Sequence, residues 1–229
     1  MALDFDFEPE FLVLYEKCRA SSMASIERMY ALYRAVIYIA DAGLTGDFAE
    51  CGVWRGGSVM MMALTLLQRQ SAHHQIWLYD TFAGMTQPSS DDVQAMTGLL
   101  ASQVLAANAR DQENPFWGVA PRVAVEANLH QTGYPADLLN FVEGDVAETL
   151  PGRAPAALSL LRLDTDWYES TRHELETLYP RLQTGGVLII DDYGYWTGAR
   201  KAVDDYFETL DRKPLLNRID FTGRIAVKP

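Results

Sequence analysis

The chain has 229 residues, with 19 Lys and Arg against 31 Asp and Glu, a formal charge of −12, and 48% hydrophobic residues. That is enough apolar material for one full-sized core, which excludes a disordered polyelectrolyte. An acidic surplus without a basic cluster excludes a partner recognised through its phosphate backbone, so no nucleic acid is expected. Cys18 and Cys51 are the only cysteines, so no disulfide framework or Cys-rich metal site is expected. Met1–Glu10 is acidic and lacks the basic start of a signal peptide. The longest uncharged stretch, Val93–Ala109, is too polar for a membrane span. The expectation is a cytoplasmic protein with no membrane partner.

In chain order, residues 1–45 read as an N-terminal helical segment. Within it Met23–Gly43 carries Ile26, Met29, Tyr30, Tyr33, Val36 and Ile37 at helical spacing, with Gly43 as the stop. Short strand-like runs then alternate with helical ones. The strands are Asp47–Val53, Gln75–Asp80, Asn140–Gly144, Ala157–Asp164 and Gly186–Asp191. The helices are Ser58–Gln70, a Val93–Arg110 region, Ala120–Gly133, Glu169–Leu182 and Ala199–Leu210. The tail, Asn217–Val227, reads as a hairpin turning at Thr222-Gly223. Such alternation predicts one α/β domain over residues 1–229, a Rossmann-like doubly wound and mostly parallel sheet ending in an antiparallel strand. Residues 83–135 form a long insert between strands two and three, expected as a lid over a small-molecule acceptor.

Ligands of open α/β sheets sit beyond the carboxyl ends of the strands. Strand one ends in Glu50-Cys-Gly-Val-Trp-Arg-Gly-Gly-Ser58, where Gly52 permits a tight turn and Gly56 and Gly57 allow close backbone approach at a helix start. By itself this loop is as well explained by a tight turn as by a site. Strand two ends in Asp80, placed to accept hydrogen bonds from ribose hydroxyls. Strand three ends at Asp145, which suits a nucleobase amino group and a helix cap equally. Strands four and five end in Asp164-Thr-Asp166 and Asp191-Asp192. Like charges this close raise one another's pKa unless a cation neutralises them, and carboxylate oxygens suit a hard ion such as Mg²⁺. Asp166 is the nearest group by sequence for a general base, with a structural role equally open.

Five motifs in order carry a resemblance: Glu50-Cys-Gly-Val-Trp-Arg-Gly-Gly, Asp80-Thr-Phe-Ala-Gly-Met85, Glu143-Gly-Asp145, Leu163-Asp-Thr-Asp-Trp-Tyr-Glu-Ser-Thr171 and Asp191-Asp-Tyr-Gly194. Over roughly residues 25–210 the chain resembles the macrocin O-methyltransferase (TylF/MycF) family. These are class I S-adenosylmethionine-dependent, Mg²⁺-dependent sugar O-methyltransferases of natural-product biosynthesis. The resemblance implies the seven-stranded methyltransferase sheet. It implies S-adenosylmethionine on Glu50, Gly52, Gly56, Gly57, Ser58 and Phe82, with Asp80 at the ribose and Asp145 near the adenine. It implies a metal on Asp164, Asp191 and Asp192; Asp164 and, by its position in the sequence, Asp166 are taken as the catalytic carboxylates. It further implies a homo-oligomer acting on a small hydroxyl acceptor. The segment Asn108–Pro121, with Phe116-Trp117, matches no motif of that family.

Two rivals stand beside this reading. An NAD(P)-dependent oxidoreductase would share the glycine loop and the acid after strand two, but the dinucleotide fingerprint and any Tyr-x-x-x-Lys pair are absent. A non-catalytic nucleotide-binding protein on the same fold would have no use for paired carboxylates at one edge.

Overall fold

A computed structural model describes residues 7–108 and 115–229. Helix α1 (Pro9–Cys18) starts on a proline, whose missing N–H costs nothing at a helix start. Helix α2 (Ile26–Asp41) starts where the Ser25 hydroxyl accepts the Arg28 amide at 3.1 Å and stops before Gly43, whose φ of +66° leaves the helical region. Then follow β1 (Asp47–Cys51), α3 (Gly57–Gln68), β2 (Ile76–Asp80), α4 (Ala101–Ala106), α5 (Arg122–His130), β3 (Leu139–Glu143), α6 (Val146–Thr149) and β4 (Leu158–Leu163). The chain ends with α7 (Tyr168–Leu178), β5 (Leu182–Ile190), α8 (Thr197–Glu208), β6 (Asn217–Arg218) and β7 (Arg224–Val227).

The strands form one seven-stranded sheet in the order β3-β2-β1-β4-β5-β7-β6, parallel from β3 to β5, with β7 antiparallel to both its neighbours. The mostly parallel sheet with an antiparallel last strand is as expected. Period-two alternation divides the core. Phe48, Leu160, Val187 and Ile189 pack with α1, α2, α3 and α5, while Ala49, Leu161, Leu188 and Ile190 pack with α7 and α8. Strand β4 is buried along its whole length, as a central parallel strand must be.

Several expected bounds differ. Among the described residues of the Val93–Arg110 region only Ala101–Ala106 is helical. Val93 bridges Leu100 and Gln94 bridges Trp196, around a turn in which Gly98 takes φ +73°, which a helix cannot contain. Residues 109 and 110 lie outside the described residues. Helix α7 ends early because Pro180 turns the chain into a short 3₁₀ turn, so β5 starts at Leu182 rather than Gly186. The tail hairpin forms, with Thr222 and Gly223 in its connection. Among the described residues no helix is long and apolar enough to cross a membrane.

Candidate active site

The carboxyl ends of β1, β2, β4 and β5 open into a cavity of about 400 Å³. Gly52, Asp80 and Asp145 line it, together with Asp164, Asp166, Asp191 and Asp192. Gly52 holds φ +82°, and a Cβ there would lie 2.0 Å from the Asp164 carbonyl oxygen. The Asp164 amide in turn donates to the Cys51 carbonyl at 2.8 Å. Only glycine lets the end of β1 press this closely on the end of β4.

Trp54 also lines this cavity, whereas Glu50, Gly56, Gly57 and Ser58 do not. A Cβ on Gly57 would lie 2.5 Å from the Ser21 carbonyl, and one on Gly56 would lie 3.1 Å from the Val125 side chain. The close approach these glycines allow is therefore made by protein. Ser58 is buried with its hydroxyl 3.9 Å from the Met29 sulfur. Glu50, Gly57 and Ser58 border a much smaller recess beside Arg162 and Asp164. Gly56 and Phe82 border neither space; Phe82 is buried and packs on Phe141.

Asp80 organises the turn after β1. Its Oδ2 accepts the Val53 and Trp54 amides at 2.7 and 3.0 Å, and its Oδ1 accepts the Phe82 amide at 2.7 Å. Burial raises its pKa against those three donors. Asp145 caps α6 by accepting the Ala147 amide at 2.9 Å and also lines the cavity, so cap and site wall coincide.

Asp164, Asp191 and Asp192 each place a carboxylate oxygen within 4.8 Å of the others. Burial pushes the carboxyls of Asp164 and Asp192 well up, and neighbouring acids add to it. Asp192 Oδ2 is buried without a hydrogen-bond partner. An orphaned carboxyl oxygen beside two further carboxyl groups is a donor set that fits a hard divalent cation, whose charge would favour their ionised forms. Asp166 takes φ +68°, which brings its Oδ1 3.0 Å from the Trp196 indole nitrogen. Burial and Asp164 raise its pKa to about 7.

Two arginines escaped the sequence reading. Arg162 lies buried on β4, reaching Glu50, Asp164 Oδ2 at 2.8 Å and Asp191 Oδ1 at 2.6 Å. A charge inside the otherwise uncharged run Leu158–Leu163 is the signal that could have found it. Arg28 comes from α2 to Asp191 and Asp220, and nothing local in the sequence marks it.

The 83–135 segment contributes Met85, Val104, Leu105 and Phe116 to the cavity wall. Ala101 and Leu105 pack with Trp167 and Trp196. Buried Asp92 anchors this segment by accepting the Tyr168 amide at 2.7 Å at the start of α7. Within the unmatched stretch Asn108–Pro121, residues 109–114 lie outside the described ones. Trp117 donates to the Asn108 carbonyl at 3.1 Å.

Residues 17–227 match the macrocin O-methyltransferase (TylF) family. The 8-demethyl-8-(2,3-dimethoxy-alpha-L-rhamnosyl)-tetracenomycin-C 4'-O-methyltransferase of Streptomyces olivaceus is 34% identical over 218 residues, 95% of this chain and 79% of that protein. The demethyldecarbamoylnovobiocin O-methyltransferase of Streptomyces niveus is 30% identical over 204 residues, 89% of this chain and 74% of that protein. Among solved structures, the O-methyltransferase NovP superposes with a TM-score of 0.76 at 28% identity, covering 91% of this chain and 82% of NovP. The chain belongs to the macrocin O-methyltransferase family and is an S-adenosylmethionine-dependent O-methyltransferase, not an oxidoreductase or a non-catalytic nucleotide-binding protein.

Proposed function

We propose that the enzyme methylates a hydroxyl of a sugar carried by a small natural product, with a divalent cation, Mg²⁺ by its chemistry, held by Asp164, Asp191 and Asp192. One observation carries this reading. A single cavity is walled by residues expected at the cofactor and, beside them, by three converging carboxylates with an orphaned oxygen. The named activities of two relatives support the acceptor class, the second being a Micromonospora griseorubida enzyme 30% identical over 190 residues. One acts at the 4' position of a rhamnosyl tetracenomycin and another at the 3'' position of mycinamicin III.

When bound, the cofactor supplies an electrophilic methyl carbon and the cation supplies Lewis acidity for a weakly nucleophilic alcohol. The chain's own part is placement. Asp80 holds the backbone turn of Val53 and Trp54, which fixes the cavity edge beside Gly52. Asp166, oriented by the Trp196 indole, lines the cavity as the group to accept the hydroxyl proton. Trp167, Trp196 and Leu105 exclude water from the side of the insert.

The test is incubation with S-adenosylmethionine and a panel of natural products carrying rhamnosyl and other sugars, each beside its sugar-free counterpart, read by mass spectrometry. The expected result is a gain of one methylene mass on the sugar, lost with excess EDTA and restored by Mg²⁺. Methylation only of unglycosylated hydroxyls would overturn the acceptor class. Full turnover in EDTA would overturn the cation.

A further inference from the structure

Arg28 reaches the acid cluster from outside the strand ends, and it is held there by contacts that do not involve a cation. It is the third residue of α2, and its amide is capped by the Ser25 hydroxyl. That hydroxyl donates to Asp220 Oδ2 at 2.7 Å, and Arg28 Nε donates to the same oxygen at 3.0 Å. Asp220 is fixed in turn. Its Oδ1 accepts the Thr222 and Gly223 amides at 2.9 and 2.6 Å in the β6–β7 connection. The aliphatic stem of Arg28 runs over Gly223, where a Cβ would lie 2.9 Å from both its Cγ and its Cδ. So aimed, Nη1 donates to Asp191 Oδ2, while Asp191 Oδ1 takes Arg162 Nη2. Both oxygens of Asp191 are thus engaged by guanidinium groups, whereas Asp192 Oδ2 has no partner.

We infer that Arg28 is a positioning residue with a fixed positive charge that competes with the divalent cation at Asp191, weakening cation binding and tying α2 to the site. The inference rests on the cation reading given under the proposed function. The side chain of Arg28 is only 15% exposed and that of Asp191 only 4%, so water screens their charges little. A cation entering the cluster meets the guanidinium as a like charge and shares with it the lone pairs of one carboxylate. The asymmetry leaves Asp192 as the open side of the cluster, Asp164 with one oxygen on Arg162, and Asp191 as the side with both oxygens taken. Because Ser25, Arg28 and Asp220 form one anchored unit, displacing Arg28 would also loosen the start of α2.

The experiment titrates Mn²⁺ alone into the full chain, without cofactor or acceptor, by calorimetry and by paramagnetic resonance of free Mn²⁺. Circular dichroism confirms folding of each variant. Arg28→Met is expected to bind Mn²⁺ on the order of tenfold tighter than wild type, and the charge-retaining Arg28→Lys within about twofold of it. Gly223→Ala keeps the arginine but displaces its stem, so it is expected to tighten binding in the same direction and by less. This variant decides the matter if Arg28→Met does not fold. Asp192→Ala, which removes the ligand oxygen, is expected to abolish binding. Equal or weaker binding in folded Arg28→Met, or in Gly223→Ala if that one alone folds, overturns the inference while leaving the cation site standing. Absence of binding in every protein, or unchanged binding in Asp192→Ala, overturns the cation site itself and the inference with it.

Discussion

Glu50 and Arg162 face each other across β1 and β4 as register partners, both buried, with the guanidinium donating to the carboxylate. The same guanidinium continues to Asp164 and Asp191. The glycine-loop strand and the acid cluster are therefore joined by one side chain. A buried pair contributes little net stability when intact, but removing one partner strands the other in a medium that cannot solvate it. Arg162→Met is accordingly expected to lower the unfolding free energy by about 3–5 kcal/mol, measured by urea denaturation. A loss under about 1 kcal/mol would mean that the carboxylates find other partners.

Glu174 on α7 provides a pH signature. It is fully buried, its two oxygens accept the Thr165 hydroxyl at 2.9 and 3.1 Å, and burial raises its pKa from 4.5 to about 8. The native state keeps this proton where the unfolded chain has released it, so its contribution is fully present below pH 4.5 and is lost as pH rises toward 8. Glu174→Gln removes that loss. Stability measured by denaturation in EDTA should therefore improve in the variant relative to wild type as pH increases across this window. A difference independent of pH would show that Glu174 is ionised in both states.

Gly52→Ala should be more damaging than an ordinary loop substitution. The positive φ alone costs about 1–3 kcal/mol for a residue with a side chain, and the new Cβ would meet the Asp164 carbonyl. A lowered melting temperature together with weakened Mn²⁺ binding is expected, because the backbone carrying Asp164 must move.

Trp196→Phe keeps the packing against Trp167 but removes the indole N–H that orients Asp166. The expected outcome is a fall in kcat of about tenfold with cofactor affinity intact, the scale of one hydrogen bond to a charged group. An unchanged kcat would relieve Asp166 of the proton-accepting role.

Much of the architecture was legible because sheet and helix periodicities are local. Leu158–Leu163 and Val187–Ile190 announce central strands, and Gly43 announces a helix end. The Val93–Arg110 region was misread because its apolar residues suit a helix, while the pairing of Gln94 with Trp196 depends on a chain segment a hundred residues away. For the site, Asp164, Asp166, Asp191 and Asp192 could be placed together because each terminates a strand and parallel strands end on one edge. The protein neighbours of Gly56 and Gly57 could not be placed, since a glycine records only that something comes close. Here that something is Ser21 and α5.

The order of elements, the edge at which ligands bind and the four strand-end aspartates follow from the sequence alone, because each is set by a short-range repeat or by the direction of a strand. Which carboxylates are neutralised by protein is decided only in three dimensions. Arg28 lies 163 residues from Asp191, and Arg162 lies 112 from Glu50. A charge is compensated by whatever the fold brings within a few ångströms, and that distance bears no relation to separation along the chain.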